Sequence, residues 1–96
     1  MLICKEQKNP VDFLGRKIKI SEQALNAIYD YCATPVTYET IGMYICVKYV
    51  DTDKAGLSVE ELAKMLTDDE IKAITEQGIK EEVVEASGEE YWNKFA

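Results

Sequence analysis

The chain has 96 residues, of which 47% are hydrophobic and 30% charged, and its formal net charge is −7. This length suits one domain around a single core. The apolar content is typical of a folded protein and excludes an intrinsically disordered chain. No apolar run approaches the roughly 18 residues of a membrane span, and without histidine the commonest general base near neutral pH is missing, which argues against an enzyme.

Residues 1–20 form a basic N-terminal arm with five basic and two acidic side chains. The last part of this arm, residues 16–20, alternates basic and apolar side chains with the period of two that is typical of an edge strand. We expect this strand to pair with the C-terminal end of the chain. Its cations make Arg16, Lys17 and Lys19 candidates for contact with a phosphate or an acidic partner.

Two helices are predicted over residues 21–33 and 37–50. Ser21 and Thr37 stand at their starts as N-caps, and a proline ends the first helix because it pushes the preceding residue out of helical conformation. The second helix is apolar almost all round from residue 41 to residue 50. This pattern predicts a central buried helix.

The segment after this helix reads DTDKAGLSVEEL over residues 51–62, and its start resembles an EF-hand calcium loop. Ala55 stands where the third ligating side chain would be, and neither Glu60 nor Glu61 falls at the twelfth position for bidentate coordination. The cysteines also lack the spacing of a zinc site. We therefore predict no metal and no cofactor.

Two short helices are predicted back to back, over residues 58–66 and 67–77. Each opens with the pattern of a capping box, a Ser or Thr followed by a Glu three residues later. Gly78 is placed to end the second of these helices.

The C-terminal residues predict a β-hairpin. Residues 81–86 and 89–93 flank a turn at Gly88, and glycine relieves the positive φ that a two-residue turn needs. Tyr91 and Trp92 would then point to opposite faces of one strand, so one of them would be an exposed aromatic anchor.

The order of the elements from residue 56 onward resembles a known family. Residues 56–66 read GLSVEELAKML and are followed by the second helix and the ribbon. This arrangement is similar to the winged-helix domains of phage replisome-organiser and regulatory proteins. The resemblance implies that the second helix supplies base contacts, although its only basic side chain is Lys72.

We therefore expect an α+β, mostly helical, winged-helix-like fold with four helices, a C-terminal β-hairpin and an N-terminal edge strand. The whole chain would form one domain. Its parts would be the basic arm (1–20), the helices (21–78) and the hairpin with its tail (79–96).

The negative charge is concentrated in the second half of the chain. Residues 59–96 carry eleven acidic and four basic side chains, a net charge of −7, whereas the N-terminal arm carries +3. A nucleic-acid-binding protein needs several Lys or Arg side chains facing phosphates. The half that would have to dock on DNA is therefore expected to repel it.

The cysteines indicate a cellular compartment. Cys4, Cys32 and Cys46 are odd in number and show no pairing pattern, which favours free thiols in a reducing environment. The first five residues are too short and too soon charged for a secretory signal peptide. We therefore expect a cytoplasmic protein that does not contact a membrane.

The first functional hypothesis is a small acidic, non-enzymatic module that binds a basic protein surface. Phage and mobile-element inhibitors, including anti-CRISPR proteins and nucleic-acid mimics, belong to this class by analogy. The predicted partner-binding residues are acidic, with one aromatic anchor: Asp68, Asp69, Glu70, Glu81, Glu82, Glu85, Glu89, Glu90 and Trp92.

Two alternatives remain. A DNA-binding winged-helix protein of phage replication or transcription regulation would dock through Arg16, Lys17, Lys19 and Lys72. A homodimer would instead cover exposed apolar surface with a second copy of the chain.

Overall fold

Five helices and one two-stranded hairpin make up the part of the chain that the structure describes. The computed structural model describes residues 9–31 and 36–96. In chain order the elements are β1 (Val11–Phe13), β2 (Arg16–Ile18), α1 (Glu22–Tyr31), α2 (Tyr38–Lys48), α3 (Val59–Met65), α4 (Asp68–Ser87) and α5 (Glu89–Asn93). The first eight residues of the basic arm and the predicted end of the first helix at residue 33 lie outside the described residues. Helix α4 is the centre of the packing, because it contacts α1, α2, α5 and β2.

β1 and β2 form an antiparallel hairpin whose inner face belongs to the core. Val11 pairs with Ile18, and Phe13 pairs with Arg16. The alternation of side chains turns Val11, Phe13 and Ile18 inward, and Phe13 is fully buried. The predicted strand near residue 16 is therefore present. Its predicted pairing with the C-terminal end is wrong, because its partner is the preceding segment β1.

The starts of four helices agree with the predicted caps. At the start of α1, the hydroxyl of Ser21 accepts a hydrogen bond from the backbone N–H of Ala24 at 3.2 Å. The hydroxyls of Thr37, Ser58 and Thr67 each accept a hydrogen bond from the backbone N–H three residues later, at the starts of α2, α3 and α4. The capping box of α4 is complete, because Glu70 also accepts from the backbone N–H of Thr67 at 3.0 Å. In α3 the carboxylate of Glu61 instead accepts from the Ser58 hydroxyl. The predicted starts are confirmed, and the box of α3 is half formed.

The C-terminal part of the chain is helical, and the predicted β-hairpin there is wrong. Helix α4 runs for 20 residues, past Gly78 and through the segment predicted as the first hairpin strand. A buried residue recurs every four positions along it: Ile71, Thr75, Ile79 and Val83. This spacing is a helical stripe. The hydroxyl of Thr75 donates to the carbonyl oxygen of Ile71 at 2.8 Å, which satisfies the one polar residue in the stripe.

Gly78 lies inside α4, and the ring of Tyr44 occupies the space that a side chain at this position would need. A Cβ atom at this position would lie only 2.5 Å from Cδ1 of Tyr44 on α2. The glycine therefore allows α2 to pack closely on α4, and its predicted role as a helix end is wrong.

Gly88 separates α4 from α5. Its φ of 91° and ψ of 162° lie in a backbone region that is open essentially only to glycine. Two hydrogen bonds attach α5 to α1: Tyr91 Oη donates to Asp30 at 2.5 Å, and Gln23 Nε2 donates to the carbonyl oxygen of Trp92 at 3.1 Å. Trp92 is consequently a core residue with 7% exposure.

These findings overturn the predicted winged-helix-like fold class. The hairpin of the described residues lies near the N-terminus, before the helices, and the place predicted for a C-terminal wing is taken by α4 and α5. None of the helices in the described part of the chain combines the length and the apolar character needed to cross a lipid bilayer.

Candidate protein-binding groove

A groove of about 840 Å³ lies between α2 and α4. The residues that α4 contributes are spaced as one helical stripe beside the buried one, at positions 70, 73, 74, 77, 78, 81, 82 and 85. The opposite wall comes from α2 and the residue after it: Met43, Tyr44, Val47, Lys48 and Tyr49. Four carboxylates of the α4 stripe, called the rim acids below, are Glu70, Glu81, Glu82 and Glu85.

Helix α2 presents apolar side chains to solvent. Met43 is 50% exposed, Val47 67% and Val50, just after the helix, 61%. Met43 and Val47 are four residues apart on one side of α2 and both line the groove; these two residues are called the apolar stripe below. The prediction that α2 is buried all round is wrong, because only one side of it, including Ile41 and Ile45, packs into the core. Exposed apolar side chains aligned in this way are typical of binding surfaces.

Tyr44 joins the two walls of the groove. Its ring lies against Gly78, and its hydroxyl donates to Oε2 of the rim acid Glu82 at 2.9 Å. Burial, with the hydrogen bond to Glu82 acting in the same direction, raises the pKa of the Tyr44 phenol well above its ordinary range. Tyr44 therefore remains a neutral donor that holds one rim carboxylate in place.

The rim acids form no salt bridge with the described residues, although the charge of Lys54 contributes to lowering the pKa of Glu70. The salt bridges found there are Arg16–Asp68, Lys17–Asp12 and Lys72–Glu76, and none of them includes a rim acid. Glu81 accepts a hydrogen bond from the Gln77 amide at 3.1 Å, and one cation, Lys48, stands on the α2 wall. The groove therefore combines an apolar wall with a row of carboxylates that are not paired in salt bridges, of which Glu70 also completes the capping box of α4.

The structure divides the predicted partner-binding residues into two groups. Four of them, Glu70, Glu81, Glu82 and Glu85, come together as the rim acids. The others do not line the groove. Asp68 is paired with Arg16, and Asp69 is exposed in the first turn of α4. Glu89 and Glu90 are exposed in the first turn of α5, and Trp92 is buried.

Arg16 connects β2 to the junction of α3 and α4. Its guanidinium donates to the carbonyl oxygens of Ala63 at 2.6 Å and Leu66 at 3.0 Å, and Nε donates to Asp68 at 2.8 Å. The carbonyls are those that end α3, so the arginine compensates the negative end of that helix. Arg16 thus supports the fold.

Two of the other three residues predicted to contact nucleic acid are paired with carboxylates. Lys17 pairs with Asp12 on the hairpin at 3.1 Å, and Lys72 pairs with Glu76 on α4 at 2.5 Å. Lys19 is exposed. Three of the four predicted cations, counting Arg16, are therefore already neutralised by neighbouring carboxylates.

The apolar stripe was missed from the sequence because a helix that is apolar all round is typical of a buried one. Burial on every side requires neighbours on every side, and 96 residues provide too few elements to surround α2. The useful signal is the isolated Lys48, which lies beside Val47 and marks the solvent side of the helix.

A second depression, of about 320 Å³, shares Met43 with the groove. Its other lining residues are Tyr38, Glu39, Gly42, Cys46 and Val59. Cys46 is a free, exposed thiol. Within residues 9–31 and 36–96, no three Cys, Asp or Glu side chains are grouped so that they could hold a metal ion.

Comparison of the chain with protein-family models, with curated proteins and with solved structures finds no significant match in any of the three. The resemblance to winged-helix replication and regulatory proteins therefore stays a sequence-based prediction, and the site has to be interpreted from its own geometry.

Proposed function

We propose that the protein is a non-enzymatic interaction module that binds a basic surface of a protein partner through the groove between α2 and α4. The observation that carries this proposal is the row of rim acids, which lie beside the exposed Met43 and Val47 and form no salt bridge with the described residues. Charge complementarity of this kind steers association and selects the partner.

The contacts that the basic residues make within the fold support a protein partner over DNA. Binding to DNA requires several cations free to face phosphates, whereas Arg16 is engaged by the C-terminal end of α3 and by Asp68 of α4. One activity of such an acidic interaction module would be to inhibit a nucleic-acid-binding enzyme by occupying its basic cleft. An anti-CRISPR-like protein or a nucleic-acid mimic would act in this way. The exposed thiol of Cys46 supports the reducing cytoplasm as the location.

Charge reversal at two places on the same protein tests the proposal. The variant Glu81→Lys/Glu85→Lys reverses the charge of two rim acids. The control Glu89→Lys/Glu90→Lys makes the same change in net charge, but on α5. Binding of a labelled lysine-rich peptide and of a labelled 20-base-pair DNA duplex is measured by fluorescence anisotropy at about 20 to 300 mM salt.

We expect the wild type to bind the peptide with an affinity that falls as salt rises, and to leave the duplex unbound. The rim variant should lose most of this affinity and the α5 variant should keep it. Equal affinity of the wild type and the rim variant would refute the proposal. Binding of the duplex with a steep salt dependence would replace it with the DNA-binding alternative.

A further inference from the structure

The dimensions of the groove restrict what can occupy it. Its α4 wall extends from Glu70 to Glu85, which corresponds to about 22 Å at the helical rise of 1.5 Å per residue. This is the length of a helix of about 15 residues. The groove therefore accommodates a segment of secondary structure and is longer than a single anchoring side chain requires.

The chemistry of the walls favours a helix over an extended peptide. A peptide that binds by adding a strand needs a free sheet edge to bond its backbone N–H and C=O groups. Both walls of the groove are helical, and the sheet of the described residues is the hairpin β1–β2, which does not line the groove. An extended backbone placed against Met43, Val47 and Ile74 would leave polar groups without partners, whereas a helix bonds its own backbone.

The pattern of the walls specifies the surface of that helix. The apolar stripe offers the side chains of Met43 and Val47, and Ala73 and Ile74 line the groove from α4. A partner helix with apolar residues at i, i+3, i+4 and i+7 presents a continuous apolar face that can pack between these two walls. The rim acids all stand on α4, so the complementary cations belong on the flank of the partner helix that faces α4.

The charge argues against a second copy of the chain as the occupant. Each copy carries a net charge of −7, and pairing two α2 faces would bring both sets of rim acids close together. Like charges at an interface oppose association. A cationic helix removes this repulsion and compensates the rim acids at the same time.

We propose that the groove between α2 and α4 binds an amphipathic helix of about 15 residues, with an apolar stripe and lysine or arginine on one flank, supplied by a protein partner. This inference rests on the proposed function and names the structural form of its partner. The apolar stripe would bind the apolar face of the helix, and the rim acids would set its orientation.

Three synthetic peptides of 18 residues test the inference. The first is a Leu/Lys peptide with leucine at helical spacing, the second is a scrambled peptide of the same composition, and the third replaces the lysines of the first with glutamine. Binding of each peptide to the full chain is measured by isothermal titration calorimetry at low and at physiological salt.

We expect the first peptide to bind at least about tenfold more tightly than either of the others, because only it matches both walls. Equal affinity of the scrambled peptide would overturn the helix inference while leaving the proposed function intact, since a basic partner would still be bound. If neither of the lysine-containing peptides bound at low salt, the proposed function itself would fail.

Matched variants locate the binding surface. The double variant Met43→Ser/Val47→Ser removes the apolar stripe. Met65→Ser removes an apolar side chain of α3 that is 55% exposed and does not line the groove. Because all three side chains are at least half exposed, the variants should retain the fold, which circular dichroism verifies.

We expect the double variant to weaken binding of the first peptide about tenfold and Met65→Ser to leave it unchanged. A second pair tests the charges: Glu81→Gln/Glu85→Gln should weaken binding several-fold, and Glu89→Gln/Glu90→Gln should not. If the two members of either pair behaved alike, the peptide would bind elsewhere and the inference would be wrong.

Discussion

Two acidic regions of α4 look alike in the sequence and have different roles in the structure. At the first turn, Asp68 pairs with Arg16 and Glu70 completes a capping box with Thr67. One to two turns past the middle of the helix, Glu81 and Glu85 have no cationic partner among the residues described. The first region stabilises the fold, and the second leaves negative charge available to a partner.

This difference shows that acidity alone does not identify an interaction surface. Carboxylates near a helix N-terminus are stabilised by the dipole and by the backbone N–H groups. Carboxylates near the C-terminal end interact unfavourably with the dipole, so the dipole does not explain why Glu85 stands there. Three predictions sharpen this comparison, in order of decreasing effect on the free energy of unfolding.

The largest effect is expected from Arg16→Ala. The variant removes the guanidinium that bonds Ala63, Leu66 and Asp68 across the α3–α4 junction, and we expect the free energy of unfolding to fall by about 2 kcal/mol. Urea denaturation followed by circular dichroism measures it. Lys17→Ala is the matched control because its salt bridge is exposed on both sides, and it should cost far less. Equal losses would mean that the first turn of α4 is not held by Arg16.

A smaller effect is expected from Gly78→Ala. The new Cβ would lie 2.5 Å from the Tyr44 ring, so the side chain must shift, and we expect a loss of about 1–2 kcal/mol even though alanine favours the helix. In a Tyr44→Ala background the ring is absent. There the same change should stabilise the protein by up to about 1 kcal/mol. A loss of stability in both backgrounds, measured by urea denaturation, would show that Tyr44 is not the cause.

The smallest effect is expected from Glu70→Gln, and it should depend on pH. Hydrogen bonding to the backbone and side chain of Thr67 holds the pKa of the Glu70 carboxyl below its ordinary value of 4.5. Because the folded-state pKa is the lower one, the stabilisation is present above the ordinary pKa and is lost as pH falls through the folded value. The variant should therefore have a lower Tm than the wild type near pH 7.

This difference in Tm should disappear in acid, which thermal denaturation from pH 7 down to pH 2.5 would reveal. Glu85→Gln makes the same change of charge on α4 without a capping contact. A difference from the wild type that stayed constant across the pH range would contradict the assignment of the carboxylate to the capping box.

The local signals in the sequence predicted helix starts well and the C-terminal fold poorly. Thr37, Ser58 and Thr67 cap helices because a hydroxyl and a backbone N–H three residues later need nothing else. Gly78 and Gly88 were misread because the reason for each glycine lies in three dimensions: a ring from another helix in one case, and the turn between two helices in the other.

The candidate site was predicted in part for the same reason. Acidic residues on the exposed side of α4 could be read from composition, and four of them line the groove. The apolar stripe could not, because the exposure of Met43 and Val47 depends on which side of α2 the other elements occupy. The sequence pattern of an apolar helix is the same whether neighbouring elements cover all of its sides or leave one side exposed.

Gly88 leads to an expectation about tolerance to mutation. No atom lies within 4 Å of the place where its side chain would be, so crowding gives no reason to conserve it. Its backbone angles nevertheless exclude the other amino acids. In a library of all single substitutions, variants of Gly88 should therefore be strongly depleted after selection for folded protein. A side chain at this position would favour one continuous helix through α4 and α5, and Trp92 would then leave the core.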